Sequence, residues 1–162
     1  MNLMGAIILS PEMWRYWRDD MDREVLFRGK RMDNGKWVEG WYCPKKTGHH
    51  EGDRFVEEMQ SVIIASMTGG GYQYAVVDPK TVCQYVGYTD LRKQKAFEHD
   101  IVFYEDGGCY GHIVFKDGQF LIGWQESRPD LRSDIHFWFT ERRIHIIGNI
   151  FDNPALLEGG AE

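Results

Sequence analysis

Apolar positions along this chain follow two different periods. Between Ser10 and Met21, Met13, Trp14, Trp17 and Met21 recur at helical spacing. They follow a Ser10 suited to cap a helix and a Pro11 suited to its first position. That pattern predicts a short amphipathic helix within an N-terminal extension over residues 1–20, its aromatic stripe reading as a docking face. From Arg23 onward, apolar residues alternate with polar ones or form short runs bounded by Gly, Asn, Asp and Pro, the pattern of strands and turns.

Asn34-Gly35, between "VLFRGKRMD" and "KWVEGWY", favours a two-residue turn with positive φ at both positions. Such a turn makes the numbers of facing residues sum to 69. Lys30 then faces Glu39, Met32 faces Trp37, Arg28 faces Trp41 and Phe27 faces Tyr42. Asp33 and Lys36 flank the turn, so one register yields two opposite-charge pairs, a cation–π pair and an aromatic pair.

Further along, "PKKTGHHEGDR" reads as a polar loop. Ser61–Met67 and Gln73–Val77 read as strands around the glycines 69–71, "TVCQYVGY" as a short strand and "TDLRKQK" as a charged turn. From Asp100 the pattern is β throughout: "DIVFY", a meander through "CYGHIVFKDGQFLIGW", then strands at "IHFWF" and "IHIIGNI". With Asp117-Gly118 as a turn, facing residues sum to 235, and Phe115 meets Phe120, Val114 meets Leu121 and Ile113 meets Ile122. Asn153, Pro154 and Gly159 bracket a C-terminal helical turn. The expected fold is mostly β: antiparallel hairpins and a meander forming a curved sheet or small barrel, with short helices at both ends. Residues 21–158 form a single domain, or two lobes divided near residues 89–95.

Composition narrows the class. At 162 residues, with 43% hydrophobic and 27% charged, the chain is globular. A net charge of −6 argues against non-specific affinity for nucleic acid or anionic membranes. The opening "MNLMGAIIL" has no preceding Lys or Arg and is too short to span a bilayer. Cys43, Cys83 and Cys109 are widely spaced and read as reduced, buried thiols of a cytosolic protein.

Residues with chemical potential are present but scattered. Glu98, His99 and Asp100 stand at the entrance to a strand, where alternation sends Glu98 and Asp100 one way and His99 the other. They read as a solvated strand entrance, with Asp100 accepting from nearby backbone N–H groups. A metal-dependent hydrolase acting on nucleic acid or nucleotides would draw on Glu98 and Asp100 together with His112, His136 and His145. Those histidines fall on three separate expected strands, and no spacing gathers them. No G-x-S-x-G occurs, and the glycines 69–71 lack the following Lys-Ser/Thr of a phosphate loop, so no cofactor is expected. Arg28, Lys30 and Arg31 beside Trp37 and Trp41 raise a third reading, a small nucleic-acid-binding barrel. Acidic neighbours, with Glu39 expected to neutralise Lys30, favour a solvated mixed-charge face instead.

Four segments, "LFRGKRMDNGKWVEGWY", "DPKTVCQYVGYTD", "FEHDIVFYE" and "IIGNIFDNPALLE", resemble the YopX family of phage and prophage proteins. The likeness runs from about Arg23 to Glu158, with Met21 matching the family's usual start. It implies a β-rich fold and a mobile-element origin, and it brings no catalytic residues with it. The family pattern has glycine where this chain has His99, which implies a turn or close backbone approach there. It often has glycine at Cys83 as well.

The expectation is therefore a prophage-type accessory protein in the cytoplasm of a bacterial host. It acts as a non-catalytic binding module for a host or phage protein, with no membrane association. Arg28, Trp37 and Trp41 are the expected binding surface, combining apolar area with a cation. Self-association through an exposed strand edge is a further expected mode.

Overall fold

The computed structural model describes residues 24–68, 71–125, 133–141 and 143–158. The helix expected between Ser10 and Met21 lies outside them. The chain begins with β1 (Phe27–Lys30), β2 (Trp37–Glu51), β3 (Arg54–Thr68) and β4 (Gly71–Val76). A 3-10 turn at Pro79–Thr81 leads into β5 (Cys83–Thr89) and β6 (Lys95–Phe97). Then come β7 (Asp100–Tyr104), β8 (Cys109–Lys116) and β9 (Gln119–Trp124), helix α1 (Ile135–Thr140), β10 (Ile144–Asn149) and helix α2 (Ala155–Glu158). The strands make two antiparallel sheets, one ordered β4-β3-β2-β1-β5-β6 and the other β10-β7-β8-β9. The chain passes between them at Glu98-His99. Both sheets are curved and neither closes into a barrel. No helix among the described residues is long and apolar enough to cross a membrane.

In the first sheet, Arg31 and Val77 bridge and the Met32 amide donates to the Val76 carbonyl (2.9 Å), drawing the end of β4 toward the end of β1. The sheet curls over Ile63, Ala75 and Val77, with Phe27, Val38, Tyr42 and Val82 packed on them. The second sheet buries Val102, Ile113, Ile122, Ile144 and Ile146 beneath Ile135, Trp138 and Phe139 of α1.

The β8–β9 hairpin has the expected register, with Phe115 opposite Phe120, Val114 opposite Leu121 and Ile113 opposite Ile122. Asp117 and Gly118 supply the two positive φ values, +53° and +81°. Three expectations are corrected. The β1–β2 hairpin pairs Lys30 with Trp37, Arg28 with Glu39 and Phe27 with Gly40, two residues away from the expected register. Its loop has four residues, Met32–Gly35, because side chains lock the longer form. The Arg31 guanidinium binds Asp33 (2.9 and 2.6 Å), and Asn34 Oδ1 accepts from the Lys36 amide (2.9 Å). A two-residue shift leaves every side chain on its expected face, and Phe27 still meets the Tyr42 ring diagonally at 5.5 Å.

The second correction concerns "PKKTGHHEGDR", which is ladder rather than loop. It extends β2 and β3 into a two-stranded ribbon turning at Gly52-Asp53, with pairs such as Lys46–Met59 and His50–Phe55. Solvent reaches both faces of the ribbon, so no apolar alternation marks it in the sequence. The third concerns "IHFWF", which is helix α1. Asp134 caps it by accepting from the His136 amide (2.9 Å), and Ile135, Trp138 and Phe139 bury one helical face.

Candidate functional site

The strand entrance at Glu98-His99-Asp100 lies where the two sheets meet. Glu98 and His99 are turn residues between β6 and β7, so strand alternation does not govern them. His99 takes φ +66°, a left-handed conformation that suits the glycine of the family pattern, and stacks edge-on against Phe151 at 5.6 Å. Asp100 is not solvated as expected; it is 1% exposed. One of its oxygens accepts from the Phe97 amide (2.8 Å), as expected of a carboxylate at a strand entrance. The other is ion-paired with Arg28 of the first sheet. Burial raises the Asp100 carboxyl to about 6 despite the opposing pull of Arg28 and the Phe97 amide.

Arg28 is buried rather than displayed. Its guanidinium lies between the rings of Trp37 (4.7 Å) and Phe97 (4.8 Å), on the strand position opposite Cys83. Burial pushes the Cys83 thiol up to about 11, which makes it an inert core group, and it donates to the Thr81 carbonyl (3.2 Å). The expected Arg28–Trp41 cation–π pair does not form, because the shifted register brings Arg28 to Trp37 instead. Cys43, by contrast, is exposed, because it lies on the uncovered outer face of β2.

A second polar cluster lies beside the first. Lys30 ion-pairs with Asp152, and the same carboxylate accepts from Trp37 Nε1 (2.7 Å) and Asn149 Nδ2 (2.9 Å). Asn149 Oδ1 in turn accepts from the amides of Phe151 and Asp152, both at 3.0 Å. Against the burial that would raise it, the hydrogen bonds from Lys30, Asn149 and Trp37 hold Asp152 down at about 2. Asp152, not Glu39, is therefore the partner of Lys30. With Arg28 on Asp100 and Arg31 on Asp33, the basic cluster that suggested nucleic acid is neutralised by ion pairs.

Trp37 is clamped between these two clusters, and Trp41 is free of them. Trp41 stands two positions on from Glu39 on the outer face of β2, 54% exposed. Across the ladder it lines up with Ile64 of β3 and then Tyr74 of β4, itself 59% exposed. Ile64 and Tyr74 of this row also line an open groove of about 540 Å³, together with Cys43, Pro44, Lys45, Lys46 and Val62. Of the three expected surface residues, Arg28 and Trp37 are together in the junction, and Trp41 alone is presented to solvent.

The three histidines are not gathered. His136 Nδ1 shares a hydrogen bond with the Tyr88 hydroxyl (2.9 Å), and His145 Nε2 lies 3.0 Å from a Glu105 oxygen. His112 lies between β7 and β9, held below the usual imidazole range by burial and by nearby His99. Among the described residues no group of three or more His, Cys, Asp or Glu could hold a metal ion. Asp152 and Asn149 were not singled out from the sequence. The cue was the polar "GNIFDN" turn, whose Asn and Asp side chains bond the local backbone.

The four segments quoted above converge on this junction: Arg28 and Lys30, the Asp78–Thr81 turn, Asp100, and Asn149 with Asp152. Residues 26–158 match the family described as YopX protein. The chain belongs to the YopX family. This YopX-family chain is also similar in fold to the crystal structure of protein EF1440 from Enterococcus faecalis. The two are 21% identical with a TM-score of 0.51, over 83% of this chain and 98% of that one. None of the curated proteins is similar to it.

Proposed function

We propose that this YopX-family chain is a non-catalytic binding module. In this reading it is an accessory protein of phage or prophage origin that works in the bacterial cytoplasm by holding a host or phage protein. The reading is carried by one observation: Trp41 is displayed on a ladder position in line with Ile64 and Tyr74, beside a rigid polar junction. Indole on a fixed strand offers large apolar area with little side-chain entropy to lose, the usual makeup of an interface anchor. Arg28 acts from beneath, keeping Trp37 and hence this end of β2 in place. The ion pairs that build the junction occupy Asp100, one of the carboxylates a hydrolase would draw on, and Arg28 and Lys30, cations that a nucleic-acid groove would need free.

The test is affinity capture from host lysate with wild-type protein and with Trp41→Ala, followed by titration of the captured protein in pure form. We expect a stoichiometric protein partner whose affinity falls by roughly thirtyfold in the variant, the loss typical of a hot-spot tryptophan (about 2 kcal/mol). Retention of single-stranded nucleic acid with a steep salt dependence, or a stoichiometric metal whose removal abolishes a hydrolytic activity, would overturn the proposal.

A further inference from the structure

A further cleft, of about 390 Å³, lies where β5 and the turn after it meet the end of α1. The first sheet forms one wall, and the helix that covers the second sheet forms the other. A cleft of that size between packed units is a common seat for a small ligand. The backbone is bent to make it. β5 and β6 pair at Tyr85–Phe97 and again at Thr89–Lys95, so four residues along one strand answer two along the other. Gly87 takes φ +90° within that bulge. The bulge carries Tyr88 against α1, stacked on Phe139 at 5.4 Å and bonded to His136 Nδ1 (2.9 Å). The turn is fixed by Asp90, whose carboxylate accepts from the amides of Arg92 (2.8 Å), Gln94 (3.0 Å) and Ile146 (3.3 Å). Asp90 is thereby spent on backbone donors.

Other groups of the cleft are left open. Lys93 stands at φ +64°, a conformation glycine holds at less cost, yet its ammonium has no ion pair or hydrogen bond among the described residues. The hydroxyls of Tyr85 and Thr89 have no hydrogen-bond partner there either. At the end of α1, Phe137 and Trp138 are the last residues whose carbonyls find backbone donors, which leaves those of Phe139 and Thr140. A ligand that satisfies this set brings donors for the carbonyls, a negative group for Lys93 and a flat ring for the tyrosines. We propose that the cleft binds a nucleoside monophosphate. Its base lies against Tyr85 and Tyr88, its exocyclic amino group meets the α1 carbonyls, and its phosphate meets Lys93. This inference uses none of the residues of the protein-partner reading, so either can fail alone.

Adenosine monophosphate, titrated into isotope-labelled protein and followed by amide chemical shifts, is the test. Saturable shifts are expected at residues 85–93 and 139–140 and not along β2–β4. Lys93→Gly deletes the ammonium and relieves the left-handed strain, so the variant is expected to stay folded. It is expected to bind the nucleotide about tenfold more weakly, the scale of one charge-assisted contact at an exposed site. Adenosine separates charge from ring. The wild type is expected to bind it about tenfold more weakly than the nucleotide, and Lys93→Gly to bind the two alike, because ammonium and phosphate form one interaction. Lys116→Gly, which removes an exposed lysine outside the cleft, is expected to bind as the wild type does. Absence of saturable shifts at millimolar nucleotide, shifts centred outside the cleft, or a Lys93→Gly protein that still prefers the nucleotide to adenosine would each defeat the proposal.

Discussion

Arg28 and Asp100 bring opposite charges together across 72 residues of chain, in a place where water is nearly excluded. Burial prevails over attraction at the carboxyl, which is why Asp100 sits above its ordinary range even with a guanidinium beside it. The guanidinium tolerates the site better, because its planar, weakly hydrated group stacks on Trp37 and Phe97. Removing Arg28 therefore leaves a buried carboxylate with one amide donor and no counter-charge. Arg28→Met is expected to lower unfolding free energy at neutral pH by about 3 kcal/mol, read from urea midpoints at unchanged slope. In that variant the Asp100 carboxyl moves further up, because burial is then less opposed. The charge types of this pair were visible in the sequence. Their partnership was not, since any of many carboxylates fits an arginine on pattern alone.

At the level of elements, local chemistry was legible where a turn dictates geometry and illegible where solvent reaches both faces. Asp117-Gly118 has backbone angles that few other residues adopt, so the β8–β9 register followed from two residues. Asn34-Gly35 looked equivalent, but Asp33 and Asn34 had side-chain partners that favoured four loop residues over two. The α1 segment carried its own signal, Asp134 as cap and Ile135, Trp138 and Phe139 at helical spacing, set against a short apolar run that also fits a strand. Gly40 marks where β2 leaves β1 to run beside β3. A Cβ there would stand 2.0 Å from the Ile64 carbonyl oxygen, a backbone atom that cannot swing aside. Gly40→Ala is expected to destabilise by 3 kcal/mol or more by this reckoning, roughly the scale of a severe core disruption, seen as a collapsed urea midpoint or insoluble expression.

For the whole molecule, one ion pair ties one sheet to the other and a second ties β1 to the turn after β10, and their linkage to pH has opposite signs. Asp100 has a raised folded value, about 6 against 3.8, so the folded state takes up its proton first. Between about 6 and 3.8 the folded state binds more protons than the unfolded one, and stability rises as pH falls. Asp152 is lowered to about 2 from 3.8; its contribution is complete above 3.8 and is lost as pH falls toward 2. Urea midpoints are thus expected to climb on mild acidification and then drop, and Asp152→Asn is expected to flatten the acid-side drop while leaving the climb. A midpoint that falls steadily from neutral pH would contradict this. The sequence alone determined the β class, the strand positions of the second sheet except α1, and the turn at Asp117-Gly118, because those depend on neighbours in the chain and on alternation. Tertiary structure decided which sheet each strand joined, that on one face of the first sheet Arg28 is covered and Trp41 is left exposed, and that the polar segment after Pro44 is a ribbon. Those outcomes depend on which distant surfaces cover which faces, and a one-dimensional pattern does not carry that information.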